Sequence, residues 1–278
     1  MTVDQFVSLD GGHVGVIEEG QTSGPAVLLL GNAAASMLCW EPVVPRLAEA
    51  FRVIRFDFLS SARSTHLAGR YDIPTLARRA AVALDTLGVS RVTVIGHSSG
   101  CTIAVALAEQ RPDAIVCLAL IGMGPDLDAK IPERLLFRLS LTRFPGRWLW
   151  RLRTGASIRK AAGSAFTRPV DIPVAFVEHM MGITHRDFVG AMRAPLHYLG
   201  QRSLPDRLAP LGLPVLVVFG AEDQRWRSSS AAAYRAVPGA RVELLHGVGH
   251  TPMMEDPDTT GSLLLDFAEA ARQTSDGS

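Results

Sequence analysis

A serine flanked by glycines follows a short apolar run near the middle of the chain. Residues 96–100 read Gly-His-Ser-Ser-Gly, directly after the run Arg91–Ile95 and directly before a helical pattern. A serine hydroxyl can attack a carbonyl carbon only when the backbone projects it outward, and a tight strand-to-helix turn does this at the cost of strain. The motif therefore predicts a nucleophilic Ser98, with the N–H of Ser99 facing a developing oxyanion. A polar loop without chemistry is the alternative.

A nucleophilic serine needs a base, and the chain offers a histidine just beyond its last apolar run. His250 lies in the glycine-rich stretch after Leu245, where an imidazole can reach over the serine turn. His246 is closer to the end of the strand, and we expect it to be structural. His97 is adjacent to Ser98 but should point in a different direction. The sequence therefore predicts His250 as the base.

The base needs a carboxylate to orient it, and this residue should also follow a strand. Asp223 comes just after the apolar run Val215–Phe219. Its neighbour Glu222 should face elsewhere, and Asp126, after an earlier strand, is the alternative. Carboxylates in turns are often only caps. The chain order of serine, aspartate and histidine nevertheless favours Asp223.

Short apolar runs alternate with helical patterns along most of the chain, which is typical of a mostly parallel sheet with helices on both faces. The predicted fold class is α/β with eight strands, the first two forming an antiparallel hairpin. The predicted strands are Gln5–Leu9, His13–Glu18, Ala26–Leu30, Arg52–Phe56, Arg91–Ile95, Ile115–Ile121, Val215–Phe219 and Val242–Leu245. The predicted helices are Pro42–Ala50, Ile73–Leu87, Ser99–Gln110, Ser228–Ala236 and Thr259–Ala271.

The alternation stops between Gly124 and about Pro205. This stretch is helical in pattern, is interrupted by prolines, and carries 13 Lys and Arg against 6 Asp and Glu. We expect a helical lid at residues 125–205, inserted after the sixth strand into a core formed by 1–124 and 206–278. Such a lid would cover the carboxyl ends of the strands, where these folds bind ligands. The sequence leaves open whether the lid's aromatic residues line a pocket or fill its own core.

Size and composition narrow the class of protein. A chain of 278 residues with 47% hydrophobic residues suits one large α/β domain. Lys and Arg number 28 against 27 Asp and Glu, so no chain-wide field attracts nucleic acid or an anionic membrane. Cys39, Cys101 and Cys117 are scattered and show neither disulfide nor metal spacing. We therefore expect a cytoplasmic protein with a small-molecule substrate, no metal, no cofactor, no nucleic-acid partner and no membrane span.

Together the motifs resemble the α/β-hydrolase superfamily. The resemblance rests on Ser98 in Gly-His-Ser-Ser-Gly, Asp223 in Gly-Ala-Glu-Asp and His250 in Gly-His-Thr-Pro-Met-Met-Glu, and it covers nearly the whole chain outside the lid. It implies that these three residues are nucleophile, orienting acid and general base. It also implies an oxyanion hole formed by the backbone N–H groups of Ser99 and of Asn32, the residue that matches the family's oxyanion position.

Two stretches depart from the family pattern. The usual His-Gly after the third strand is Leu30-Gly31 here, and Asn32 adds a side-chain amide. The loop after Phe56 keeps Asp57 and Ser64 but lacks both expected glycines. A serine hydrolase acting on an ester, thioester or related carbonyl substrate with an apolar acyl part is the leading interpretation. The departures favour a specialised substrate, and they keep a triad-bearing lyase, cyclase or C–C bond-cleaving enzyme as an alternative. A non-catalytic ligand-binding protein is a third interpretation.

Overall fold

The computed structural model describes residues 2–9, 12–31, 37–57 and 71–276. Within these ranges, eight strands form one sheet in the order β1-β2-β4-β3-β5-β6-β7-β8. The hairpin pair β1 and β2 is antiparallel, β2 and β4 are antiparallel, and the remaining neighbours are parallel. This confirms the predicted α/β class. The strands are β1 (Thr2–Leu9), β2 (Gly12–Gly20), β3 (Ala26–Leu30), β4 (Arg52–Asp57), β5 (Val92–His97), β6 (Ile115–Ile121), β7 (Val215–Gly220) and β8 (Arg241–Leu245).

The central strands are buried on both faces, which explains their continuous apolar runs. In β3 every residue is buried. Leu28 and Leu30 pack in one core cluster, and Val27 and Leu29 pack in a second cluster on the opposite face. Because successive side chains of a strand point to opposite faces, one five-residue strand contributes to both cores.

Helices cover both faces of the sheet, with the residues of α2 and α3 in one core cluster and those of α1 and α11 in the other. Among the described residues, no helix has the length and apolarity to cross a bilayer. The helices are α1 (Val44–Ala48), α2 (Ile73–Thr86), α3 (Ser99–Gln110), α4 (Leu135–Ser140), α5 (Gly146–Arg151), α6 (Gly155–Gly163), α7 (Val174–Gly182), α8 (His185–Gln201), α9 (Leu204–Leu208), α10 (Pro252–Glu255) and α11 (Pro257–Asp276).

Three predicted helices differ from the structure in type or by more than one residue in extent, and one of them, Thr259–Ala271, is longer there as α11. The segment Pro42–Ala50 is α-helical only over α1, which has a proline in its first turn, where a missing N–H costs nothing. The predicted helix Ser228–Ala236 has the same bounds in the structure, where it is a 3-10 helix. Here the Ser230 hydroxyl and backbone N–H both donate to Arg227 O. Such local serine bonds compete with the α-helical pattern, which agrees with the 3-10 type of this helix.

Five helices, α4 to α8, lie between β6 and the predicted end of the insertion, and they have a core of their own. The Trp150 ring of α5 stacks on Phe188 of α8 at a centroid distance of 4.5 Å, and Phe137 of α4 packs edge-on against Phe188 at 6.1 Å. The end of this segment is attached to α3, because the Tyr198 hydroxyl donates to the Glu109 carboxylate at 2.6 Å. These aromatic residues therefore fill the segment's own core, and its function as a lid stays a prediction.

Candidate active site

Ser98 occupies a strained turn between β5 and α3. Its φ is 53° and its ψ is −123°, and among the described residues it is the non-glycine residue with a positive φ. L-residues rarely adopt this conformation, which costs free energy unless the surroundings impose it. Here the Ser98 N–H donates to Ile121 O of β6 at 2.8 Å, and Ser98 O accepts from Cys101 N at 2.9 Å. Neighbouring elements therefore hold the side chain of Ser98 out of the turn.

The two glycines of the motif permit this turn because no Cβ fits at either position. A Cβ on Gly96 would lie 2.7 Å from Cys101 N. A Cβ on Gly100 would overlap Leu30 O and lie 2.8 Å from Gly31 O. The end of β3 therefore lies against the start of α3, next to Ser98.

The structure describes one of the two predicted oxyanion residues, Ser99, and does not describe the other, Asn32. Ser99 is the first residue of α3, at the helix end where backbone N–H groups lack an intrahelical acceptor. Asn32 directly follows Gly31 but lies outside the described residues, as does Ser64. The contribution of Asn32 to an oxyanion hole stays a prediction.

The structure brings Ser98, His250 and Asp223 together, although up to 152 positions separate them in the chain. His250 Nε2 lies 3.1 Å from Ser98 Oγ, and His250 Nδ1 lies 2.9 Å from Asp223 Oδ2. All three residues are buried, so water does not compete strongly for these hydrogen bonds. The arrangement can pass a proton from a serine hydroxyl to an imidazole that a carboxylate orients.

The environment of Asp223 keeps its carboxylate ionised. Burial raises the pKa of Asp223, but the adjacent His250 and the backbone N–H groups of Arg225 and Trp226 outweigh burial and hold it below its usual value. Those two N–H groups donate to Oδ1 at 2.7 and 3.1 Å. An ionised Oδ2 must accept its hydrogen bond, so His250 carries its proton on Nδ1 and presents the Nε2 lone pair to Ser98.

The other candidate residues lie elsewhere. Glu222 is exposed, and its carboxylate accepts from Val248 N at 3.0 Å rather than from the His250 ring. Asp126 caps a turn by accepting from Ala129 N at 3.1 Å. His246 is exposed just after β8. None of these three side chains joins the hydrogen-bonded chain from Asp223 to Ser98.

The ring of His97 is hydrogen-bonded to the backbone of His250, a contact that the sequence did not reveal. Its ring is buried, and Nε2–H donates to the backbone oxygen of His250 at 2.9 Å. Burial and the neighbouring His250 lower the pKa of His97 to about 3, so the ring stays neutral. Its position beside Ser98 was the one signal available, because the contact itself spans 153 positions.

Glu255 is a second residue whose role the sequence did not reveal, although it ends the run that contains His250. Its carboxylate is buried and accepts hydrogen bonds from four backbone N–H groups. Two belong to residues that flank His250, and two belong to the segment after α6. The donors are Gly249 at 2.9 Å, Thr251 at 3.3 Å, Thr167 at 2.7 Å and Arg168 at 3.0 Å.

The described residues contain no cluster of three or more His, Cys, Asp or Glu side chains suited to hold a metal ion. The three cysteines are buried, and they form no disulfide with one another. Burial raises the pKa of Cys117 to about 11 and raises that of Cys101 further, so both stay thiols. They are packed as small core residues.

The match to known families agrees with this geometry. Residues 26–261 match the model of the alpha/beta hydrolase family. The chain belongs to this family. The match includes the ends of β3, β5, β7 and β8, which position every residue of the candidate site that the structure describes.

Individual proteins resemble the chain at lower identity. It is 28% identical over 254 residues to an uncharacterized protein of Mycobacterium tuberculosis, covering 84% of this chain and 72% of that protein. It is 26% identical over 250 residues to a putative carbamate hydrolase of Klebsiella pneumoniae, covering 87% and 90%. The crystal structure of a putative aryl esterase from Burkholderia cenocepacia superposes with a TM-score of 0.82 at 19% identity, covering 98% and 100%. The last likeness shows the fold alone.

Proposed function

We propose that the chain is a serine hydrolase that cleaves an ester, thioester or related carbonyl substrate through an acyl-enzyme. The observation that carries the proposal is the strained Ser98, whose Oγ lies 3.1 Å from His250 Nε2. Strain of this kind persists where the surrounding structure imposes it, and it clusters at active sites. A protein that only binds a ligand has no need of a projected serine paired with an imidazole.

In the proposed reaction His250 acts as general base and then as general acid. Nε2 takes the proton from Ser98 Oγ as the oxygen attacks the carbonyl carbon, and ionised Asp223 stabilises the resulting imidazolium. The imidazolium gives this proton to the leaving group, which departs and leaves an acyl ester on Ser98. His250 then activates a water molecule that hydrolyses the ester and restores the serine.

The oxyanion of each tetrahedral intermediate would accept hydrogen bonds from backbone N–H groups. Ser99 supplies one from the start of α3, and Asn32 supplies the second in this proposal. The positive end of the α3 dipole adds to the stabilisation of negative charge. Helices α4 to α8 would cover the acyl part of the substrate.

The substrate class follows from this chemistry and from the relatives. An acyl-enzyme requires a carbonyl carbon with a leaving group, and a putative carbamate hydrolase is among the relatives that match most of the chain. Carbamates, esters and thioesters all provide such a carbon. We therefore place the substrate in this group.

Labelling with a fluorophosphonate probe tests the nucleophile independently of the substrate. The unmodified chain and Ser229→Ala, a control at an exposed serine, should both be labelled. Ser98→Ala should give no adduct while remaining folded by circular dichroism. An adduct mapped to another residue, or a failure to label, would overturn the proposal. A panel of p-nitrophenyl acyl esters, thioesters and carbamates then identifies the leaving group.

A further inference from the structure

The stretch from Arg134 to Lys160 has an unusual charge pattern. It contains eight Lys and Arg residues and neither Asp nor Glu, although the chain as a whole has a net charge of +1. Helices α4 and α5 and the turn that joins them fall within this stretch. Positive charge is therefore concentrated on one part of an otherwise balanced molecule.

The same stretch exposes large apolar side chains. Phe144 is 83% exposed, Leu135 and Leu136 are each 68% exposed, and Trp148 and Leu152 are each 57% exposed. In the described part of the chain, seven of the eleven exposed large hydrophobic residues lie between 135 and 181. Apolar residues concentrated on one surface mark interaction sites, whereas scattered ones do not.

The inner sides of these two helices are already packed, so folding does not require the outer apolar residues. Trp150 of α5 stacks on Phe188 and donates its indole N–H to Ile183 O at 3.1 Å. Ser140 O, at the end of α4, lies 2.8 Å from His185 Nε2 of α8. Both helices are thus fixed on α8 by one side and expose a second apolar side.

Charged and apolar residues interleave on this outer side. Trp148 of α5 and Leu152, the C-cap residue that follows α5 with helical backbone angles, are four residues apart and so lie on one side, and Arg147 and Arg151 have the same spacing beside them. Gly146 N donates to Thr142 Oγ1 at 3.2 Å, which fixes the turn between the helices. We call this surface the α4–α5 face; it consists of Leu135, Leu136, Arg138, Phe144, Arg147, Trp148, Arg151 and Leu152.

We propose that the α4–α5 face binds the surface of a lipid bilayer that contains anionic lipids. Interfacial helices combine exposed Trp, Phe and Leu with Lys and Arg, because the rings and aliphatic chains enter the headgroup region while the cations meet lipid phosphates. Each helix has six residues and would lie in the plane of the interface. The choice of a lipid surface rests on charge complementarity: residues 134–160 carry eight Lys and Arg and no Asp or Glu, and each such cation near an anionic bilayer contributes about 1 kcal/mol to binding.

Flotation of the full chain with vesicles tests this proposal without reference to catalysis. The chain should float with phosphatidylcholine vesicles that contain phosphatidylglycerol, and much less with pure phosphatidylcholine. Binding should weaken as salt is raised, since the attraction is screened. Failure to float with the anionic vesicles at low salt would overturn the proposal.

Matched double variants locate the binding surface. Arg147→Gln with Arg151→Gln should reduce the partition coefficient roughly 10- to 30-fold, the scale for losing two cations near an anionic surface. Phe144→Ala with Trp148→Ala should reduce it by a similar factor. The controls are Arg91→Gln with Arg235→Gln, at exposed arginines elsewhere, and Phe6→Ala, at a phenylalanine that is 59% exposed on β1. A loss of binding in the control variants, or no loss in either double variant of the α4–α5 face, would overturn the assignment.

Tryptophan quenching by brominated lipid gives a direct readout of the contact. Vesicles that contain brominated phosphatidylcholine should quench the chain, and Trp148→Phe should remove most of the quenching while flotation persists. If analytical ultracentrifugation instead shows a dimer that both face variants dissociate, and vesicles do not bind, a second copy covers the face and the lipid proposal fails.

Discussion

The carboxylate of Glu255 lies 2.9 Å from the backbone nitrogen of Gly249, the residue immediately before His250. The same oxygen accepts from Thr167 N at 2.7 Å, so one buried side chain joins the histidine loop to the segment that follows α6. A second contact runs in parallel, because His250 N donates to Ala165 O at 3.0 Å. The position of the His250 ring therefore depends on the non-helical segment after α6, which is remote in sequence.

Glu255 should act as a positioning residue. Glu255→Ala leaves four N–H groups without their acceptor, and each buried donor left unsatisfied costs about 1–3 kcal/mol. We expect a large loss of stability in Glu255→Ala, partial rescue in Glu255→Gln, and in both a greater effect on kcat than on KM because the imidazole is misplaced. Urea denaturation and steady-state kinetics measure these effects, with the exposed Glu178→Gln as control. A Glu255→Ala protein of unchanged stability and kcat would contradict this role.

Asp223→Asn should remove the carboxylate that orients His250 without destabilising the fold. The asparagine Oδ1 can still accept from Arg225 N and Trp226 N, but its amide NH2 would face His250 Nδ1 and require a lone pair there. His250 would then carry its proton on Nε2 and could no longer accept one from Ser98. We expect kcat to fall on the order of 10⁴-fold at neutral pH with the melting temperature little changed.

Asp126→Asn is the matched control for this substitution, because Asp126 also follows a strand and caps a turn. It should keep most of the activity. Equal losses in the two variants would show that neither carboxylate orients the imidazole.

The fold was predictable wherever burial alone decides structure. The run Ala26–Leu30 is buried on both faces and has the continuous apolar pattern of a central strand, so the prediction and the structure agree to the residue. The helix Ser228–Ala236 was also predicted with its bounds, but periodicity does not distinguish a 3-10 helix from an α-helix, and here serine hydroxyls donate to nearby backbone carbonyls.

The candidate site, too, was predictable only where adjacent residues determine its structure. The turn around Ser98 is encoded by adjacent residues, and so it was visible in the sequence. The contact between Glu255 and Thr167 spans 88 positions, and it depends on how two loops meet in space. No local pattern reports such a contact, so the motif that contains His250 and Glu255 gives no role for Glu255.

The buried His97 should make stability depend on pH. In the folded protein its pKa is lowered to about 3, by burial first and by the charge of His250 second, against an ordinary value of 6.5. The unfolded chain therefore binds this proton at a higher pH than the folded protein does. The stabilising contribution is present above pH 6.5 and is lost as the pH falls towards 3, at about 1.4 kcal/mol per pH unit.

His97→Gln removes this titration and can keep the hydrogen bond to His250 O through its side-chain amide. Urea denaturation between neutral and acidic pH should therefore show a shallower decline in the free energy of unfolding than in the unmodified chain. His246→Gln, at an exposed position, should leave the slope unchanged. Parallel slopes for His97→Gln and the unmodified chain would show that His97 does not titrate in this way.

The strain at Ser98 should be measurable as a difference in the free energy of unfolding, independently of catalysis. At φ 53° and ψ −123° any residue with a Cβ is strained by about 1–3 kcal/mol, whereas glycine is not. Part of this gain is offset, because glycine has more conformational freedom in the unfolded chain, which destabilises the folded state by about 0.5–1 kcal/mol relative to alanine. Ser98→Gly should therefore be more stable than Ser98→Ala by about 1 kcal/mol in urea denaturation, although both lack the hydroxyl.

The control pair lies at Ser229, inside the 3-10 helix at residues 228–236, where the backbone does not require positive φ. There the order should reverse, with Ser229→Gly less stable than Ser229→Ala, because glycine keeps its entropic cost and relieves no strain. A Ser98→Gly protein that is less stable than Ser98→Ala would mean that the turn is not strained. The opposite signs at the two serines would show that the chain gives up stability at Ser98 to hold its hydroxyl against His250.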